Sequence, residues 1–430
     1  MKNIKGCNEY NKLSRRSFLS GAAGLGTLFA VAPSWLPRVA LGQGGSNRDV
    51  IIQIYLRGGI DGLTFCVSHG DNDYYSRRPT QAVPRPSSGQ AGAALDLDGF
   101  FGFVPTMQPL MPAYQDQNLL MVHATGAVPN NWTRSHFDAQ RWMEVGKPND
   151  ASVATGWLGR HLATVTPLNP NTSLRGIALE QGLIQSLRGG PNTLPLPDPD
   201  DYGYGDAFGD WVPAMAQWIG SAYSRMPEPL KSSAMNTQAT IALLDSIDFQ
   251  NYVPAGGANY PDTGTAQGLK ATAAMLRAQI GLEVVGLDLG GWDTHADQGA
   301  NGGFIAGHLS ELADALGAFY QDLIGAGFNN FLVVCMSEFG RTADENASMG
   351  TDHGTGNAML LMGPKVAGGR VLANWPGLAD GQLFEDQDLA PTIDYRDLLA
   401  EIVDKRLSNA ANLNQVFPGY SPTYRGVIKP

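Results

Sequence analysis

The apolar run Phe331-Leu332-Val333-Val334-Cys335-Met336 passes directly into Ser337-Glu338-Phe339-Gly340-Arg341-Thr342. After a short polar loop comes Gly350-Thr351-Asp352-His353-Gly354, and then a second apolar run from Ala358 to Met362. Two buried strands bracketing a loop of Glu, Arg, Asp and His put ionisable groups at a strand end, where α/β proteins build their sites. Upstream, Leu282 to Leu289 leads in the same way into Gly290-Gly291-Trp292-Asp293-Thr294-His295. Oxygen and imidazole donors at the ends of several strands point to a metal-dependent site.

Working outward, Val50 to Leu56 reads as a strand buried on both faces, ending at Arg57-Gly58-Gly59-Ile60-Asp61-Gly62. Leu119 to Ala124 is the next strand, followed by a loop through Pro129, Asn130 and Asn131. Ser135 then caps a helix, with Asp138 three residues on. Residues 189 to 210 are rich in Pro, Gly and Asp and read as a loop or insertion; 212 to 250 reads as helical, and a helix is expected over Leu269 to Ile280. Ile305, Leu309, Leu312, Leu316, Phe319 and Leu323 share one helical face between two strands, the pattern of a βαβ crossover. The expected fold is α/β, a large and mostly parallel central sheet sandwiched by helices.

Residues 1 to 42 read as a twin-arginine export signal: Ser14-Arg15-Arg16-Ser17-Phe18-Leu19 precedes a Gly/Ala-rich apolar stretch interrupted by Pro33 and Pro37. That stretch is too short and too mildly apolar for a stable membrane span. The expected partner during export is the twin-arginine translocase, and the expected destination is periplasmic or extracellular. The segment holds six Lys/Arg and one acid, so its removal takes the formal net charge from −11 to −16. So acidic a chain offers no footprint for nucleic acid. Cys7 leaves with the signal, and Cys66 and Cys335 form no metal motif; two buried thiols are expected rather than a disulfide.

Each candidate has a plainer reading. Asp293 and His295, at spacing i, i+2, could ligate a cation or form a solvated turn; Asp352 and His353 between glycines could do either as well. Asp61 sits in a glycine-rich turn that needs no function. Glu338 is a ligand or the ion-pair partner of Arg341, which could otherwise hold an anionic substrate. Ser135 is an N-cap or a nucleophile at a helix start, and His136 a ligand or a base. His161 and His308 read as structural, His69 as a loop residue and His123 as a weak candidate.

The segments Leu56 to Leu63, Ser135 to Gln140, Gly291 to His295, Ser337 to Thr342 and Thr351 to Gly354 resemble the DUF1501 family, which is similar in turn to the alkaline phosphatase and sulfatase superfamily. The resemblance implies an alkaline phosphatase-like sheet with a two-metal site at the strand ends. It implies metal ligands Asp61, Asp293, His295, Glu338, Asp352 and His353, with Ser135, His136 and Arg341 catalytic and Arg57 binding substrate. It implies one or two divalent cations, zinc first, with manganese, calcium or magnesium admissible. Two departures stand out: Glu338 is followed by Phe339 where the superfamily has a His, and no Cys/Ser-x-Pro-x-Arg surrounds Ser135, which argues against a formylglycine sulfatase.

The expected organisation is a signal over 1–42 and a single domain over 43–430 with an insertion at about 189–268. The expected function is an exported metal-dependent hydrolase of phosphate or sulfate esters, acting on a small anionic ester or a sulfated or phosphorylated glycan. The alternative is a non-catalytic, degenerate relative that binds a glycan or an envelope partner.

Overall fold

The computed structural model describes residues 48–128 and 132–430, with the side chains of all of these but 206–208. The expected export signal, Cys7 and the loop at 129–131 lie outside the described residues. The described residues fall into two compact units: Tyr204–Gln238, and residues 48–203 together with 239–430.

The larger unit is built on a nine-stranded sheet. Its strands are β1 (Val50–Leu56), β2 (Leu119–Gly126), β3 (Gly176–Ala178), β4 (Thr193–Pro195), β5 (Val284–Leu289), β6 (Phe331–Met336), β7 (Asn357–Met362), β8 (Arg370–Leu372) and β9 (Ile393–Asp394). They run in the order β8-β2-β7-β6-β1-β5-β3-β4, with β9 beside β2. All neighbours are parallel except β7, which runs antiparallel to both β2 and β6.

Burial on both faces explains the apolar runs. Along β1, Val50, Ile52, Ile54 and Leu56 join one core, whereas Ile51 and Tyr55 join the other. Six helices matter here: α1 (Gly62–Phe65), α2 (His136–Val145), α3 (Trp157–Thr164), α4 (Gly264–Arg277), α5 (Phe304–Gly325) and α6 (Tyr395–Lys405). The amphipathic face of α5 covers the first core with Ile305, Leu309, Leu312, Leu316, Phe319 and Leu323. Trp157 of α3 and Leu398, Leu399, Ile402 and Val403 of α6 cover the second. The result is a sheet with helices on both faces, as the sequence implies.

Two boundaries move. Helix α4 starts at Gly264, where the Thr263 side chain accepts from the Ala266 amide, and stops before Gln279, which takes φ +52°. The expected helical run 212–250 divides around Pro227 and Pro229 into Val212–Tyr223 and Leu230–Asp245. Within the smaller unit, Gln238 donates to the Ala216 carbonyl at 2.7 Å. Cys66 and Cys335 are free and buried, and burial pushes both thiols up. Among the described residues no helix is long and apolar enough to cross a membrane.

The loops after β1, β5 and β6 leave the sheet at one rim, and β7 begins at that rim because it runs the opposite way. Gly58 shows how tightly they meet: φ is +126°, and a Cβ there would lie 2.5 Å from the Asp293 amide nitrogen. Gly58→Ala is therefore expected to destabilise the chain by about 1–3 kcal/mol, read from urea unfolding. A variant as stable as the parent would show that this contact is loose.

Candidate metal centre

Four donor side chains converge at that rim. Asp293 and His295 come from the loop after β5, His353 from the loop between β6 and β7, and His136 from the first turn of α2. The His353 Nε2 lies 3.0 Å from His136 Nε2, 3.0 Å from His295 Nε2 and 3.2 Å from Asp293 Oδ1. Asp293 Oδ1 is 3.0 Å from His295 Nε2, and its Oδ2 is 3.5 Å from His136 Nε2. His136, Asp293 and His353 form a group able to hold a metal ion.

The other nitrogen of each ring decides its tautomer. His353 Nδ1 is 2.9 Å from the Arg134 carbonyl, His136 Nδ1 is 2.9 Å from Glu338 Oε1, and His295 Nδ1 is 3.0 Å from Asp352 Oδ1. A carbonyl or carboxylate can only accept, so Nδ1 carries the proton in all three rings. Each Nε2 then faces the shared space, together with a carboxylate. Lone pairs facing one another at about 3 Å are relieved by a shared proton or by a cation between them. Donors about 2.1 Å from a cation in tetrahedral geometry lie about 3.4 Å apart, close to the separations among His136, Asp293 and His353, with His295 beside them.

A second ring of contacts fixes the donors. The Glu338 carboxylate is buried and also accepts from the Gly58 amide at 2.8 Å, Gln140 Nε2 at 2.8 Å and Ser337 Oγ at 3.0 Å. The Phe339 ring lies under both His136 and His353, with centroids 4.8 Å away in each case. Burial raises the Asp293 carboxyl, but the hydrogen bond from Arg341 and its charge outweigh that and hold it below the usual range. The bond from His295 likewise draws Asp352 down, and burial lowers His353, favouring its neutral form.

Several expected site residues stand elsewhere. Asp61 is not at the cluster. Its carboxylate is buried and takes Arg78 through both guanidinium nitrogens, Thr64 Oγ1 at 2.6 Å, Gln298 Nε2 at 2.7 Å and the Leu63 amide at 3.2 Å. Burial alone would raise it, but Arg78 holds it lowered and charged. Glu338 and Asp352 hold imidazoles rather than entering the donor set.

Arg341, expected to steady substrate oxygens, is buried and donates to the carbonyls of Gly59 (2.6 Å), Trp292 (3.0 Å), Thr351 (3.2 Å) and Gly58, and to Asp293 Oδ1 (2.6 Å). Arg57, expected to bind substrate, is paired with Glu144 at 2.8 Å and Asp288 at 2.8 Å. Ser135 caps α2, accepting from the Asp138 amide at 3.5 Å, between Arg134 and His136 in the chain. His136, which the sequence offers as a ligand or a base, stands in the donor group. Its one signal was a place in the first turn of a capped helix after a core strand.

A mixed α/β sheet with a His/Asp donor cluster at its rim is the class this structure defines. The DUF1501 family model, described as a protein of unknown function, matches residues 228–416, which hold Asp293, His295, Glu338, Asp352 and His353. Solved structures that resemble the chain include phosphonate monoester hydrolase of Agrobacterium radiobacter, at 11% identity and TM-score 0.31, covering 88% of this chain and 79% of that one. Alkaline phosphatase from the Antarctic bacterium TAB5 aligns at 11% identity and TM-score 0.29, covering 76% and 95%. Phosphonate monoester hydrolase SpPMH from Silicibacter pomeroyi does so at 11% and 0.29, covering 83% and 73%. Likenesses of that size carry no argument about what this chain does. No curated protein matches it.

The Asp61 assignment has a direct check. Arg78→Met strands a buried carboxylate and is expected to cost about 3–5 kcal/mol in urea unfolding. Asp61→Asn is expected to destabilise as well, while leaving the cation content of the folded protein unchanged. Loss of a bound cation in Asp61→Asn, with the fold intact, would return Asp61 to the donor set.

Proposed function

We propose that this chain is an exported, metal-dependent hydrolase of phosphate or sulfate esters, with one divalent cation held by His136, Asp293, His295 and His353. The observation that carries the reading is the convergence of three Nε2 lone pairs and the Asp293 carboxylate, every outer Nδ1 being committed to an acceptor. Metal-binding imidazoles are typically fixed by such a second partner. Three nitrogen donors and one oxygen at these separations suit zinc first, with manganese, calcium or magnesium less well matched. A single cation follows from Asp61, whose partner is Arg78.

A cation held there would supply Lewis-acid stabilisation of the negative charge that develops on the ester oxygens. The chain's own groups supply placement. Glu338 and Asp352 hold two rings, Arg341 orients Asp293, and Phe339 gives two imidazoles an apolar floor. Ser135 is the proposed nucleophile: it stands one residue before His136, at a helix start whose free amides favour an anion. Export rests on the Arg15-Arg16 signal and places the mature chain in the periplasm or outside the cell.

A second reading, a non-catalytic protein whose cation only braces a glycan-binding surface, gains support from the pairing of Arg57 and Arg341. Elemental analysis and turnover separate the two. The proposal expects one cation per chain, near-complete loss in His136→Ala and His353→Ala, and about 10–100-fold weaker binding in Glu338→Gln. It also expects turnover of aryl esters that falls by at least about a hundredfold in Ser135→Ala, in line with removal of an attacking group. A bound cation without turnover favours the second reading, and a folded chain that takes up no cation ends both.

A further inference from the structure

The charges around the cluster set a limit on the ester that fits. On the segments that build the rim, the arginines are Arg57, Arg134, Arg141 and Arg341, and each is already engaged, Arg141 by the carbonyls of Asp150, Ala151 and Val153. Arg57 faces two carboxylates, Glu144 and Asp288. Arg134 also faces two, Asp388 at 2.6 Å and Glu385 at 2.9 Å, while its carbonyl holds His353. Arg341 is buried among four carbonyls and Asp293. Arg57, Arg134 and Arg341 each face carboxylate, and Arg141 is spent on backbone carbonyls.

The cluster itself carries three carboxylates, Asp293, Glu338 and Asp352, against Arg341. Two formal negative charges remain, so a single divalent cation brings the group to neutrality rather than to a positive surplus. Asp352 keeps its side chain 61% exposed, facing whatever approaches from solvent. An incoming dianion would meet no net attraction beyond the cation, and a nearby carboxylate opposes its second charge. Beside this, Phe137, the residue after His136, is 88% exposed on the first turn of α2.

We propose, building on the hydrolase reading, that the site selects monoanionic esters carrying an apolar or aromatic group, namely phosphodiesters or sulfate monoesters, over dianionic phosphomonoesters. A cation held there would take the single charge, the engaged arginines offer little to a second one, and the exposed Phe137 ring next to His136 in the chain is available to the organic substituent. Diesters and sulfates share this chemistry.

Calorimetry on the zinc-loaded protein at pH 8 tests the charge rule without requiring turnover. Diphenyl phosphate and phenyl sulfate are the monoanions, and phenyl phosphate is the dianion. At least one monoanion is expected to bind about tenfold or more tightly than phenyl phosphate, a factor worth about 1.4 kcal/mol. Which monoanion binds better distinguishes diester from sulfate. Glu385→Gln, which removes the partly exposed carboxylate from Arg134, is expected to narrow the gap by strengthening phenyl phosphate about threefold, a modest single-charge effect near the surface. Phe137→Ser is expected to weaken the aryl monoanion several-fold with zinc content unchanged.

Equal or tighter binding of phenyl phosphate overturns the proposal, as does failure of all three anions to bind. Turnover of the matching 4-nitrophenyl esters is read separately. Selective binding of monoanions without any hydrolysis sinks the hydrolase reading and leaves the charge rule standing. Hydrolysis that prefers the dianionic monoester does the reverse.

Discussion

The site depends on the commitment of three imidazole Nδ1 protons to outward acceptors. Glu338, Asp352 and the Arg134 carbonyl each accept one, and that choice turns His136, His295 and His353 into lone-pair donors aimed inward. Reversing any one tautomer would point an N–H at the shared space and remove a donor without moving an atom of the backbone. The outer carboxylates therefore govern the chemistry even though they do not join the inner set.

The same economy of contacts runs through the backbone around the cluster. Arg341 draws the loop after β1 and the loop after β5 together by donating to Gly58, Gly59 and Trp292 while it fixes Asp293. Glu338 ties in the first loop again through the Gly58 amide and reaches α2 through Gln140. Gly58 allows that approach because its backbone conformation leaves no room for a side chain. The geometry of the donor cluster and loop packing are thus one problem in this molecule, and Arg57 and Arg341 serve as internal braces.

Much of the scaffold is legible in the sequence because its physics is local. Val50–Leu56 and Phe331–Met336 are buried on both faces, so they read as unbroken apolar runs, and the face of Phe304–Gly325 repeats at helical spacing. The rim location of Asp293, His295 and His353 follows from the strands that precede them. Long-range pairing is not written locally. Nothing near Asn357 announces that β7 runs antiparallel to its neighbours, and nothing near Asp61 tells that Arg78, 17 positions on, neutralises it. The inner and outer carboxylates are also not separable by residue type: Asp352 and Asp293 differ only in which atoms face them. Phe339, which counts as a lost imidazole when residues are matched one by one, supplies the surface on which two imidazoles rest.

His136 and His353 stand 217 positions apart and meet at 3.0 Å. An ion gripping both would act as a removable cross-link between the early and late thirds of the chain, closing a loop whose entropy cost grows only slowly with its length. Loading would then complete only after the sheet has assembled, since no short peptide from this sequence brings the two rings together.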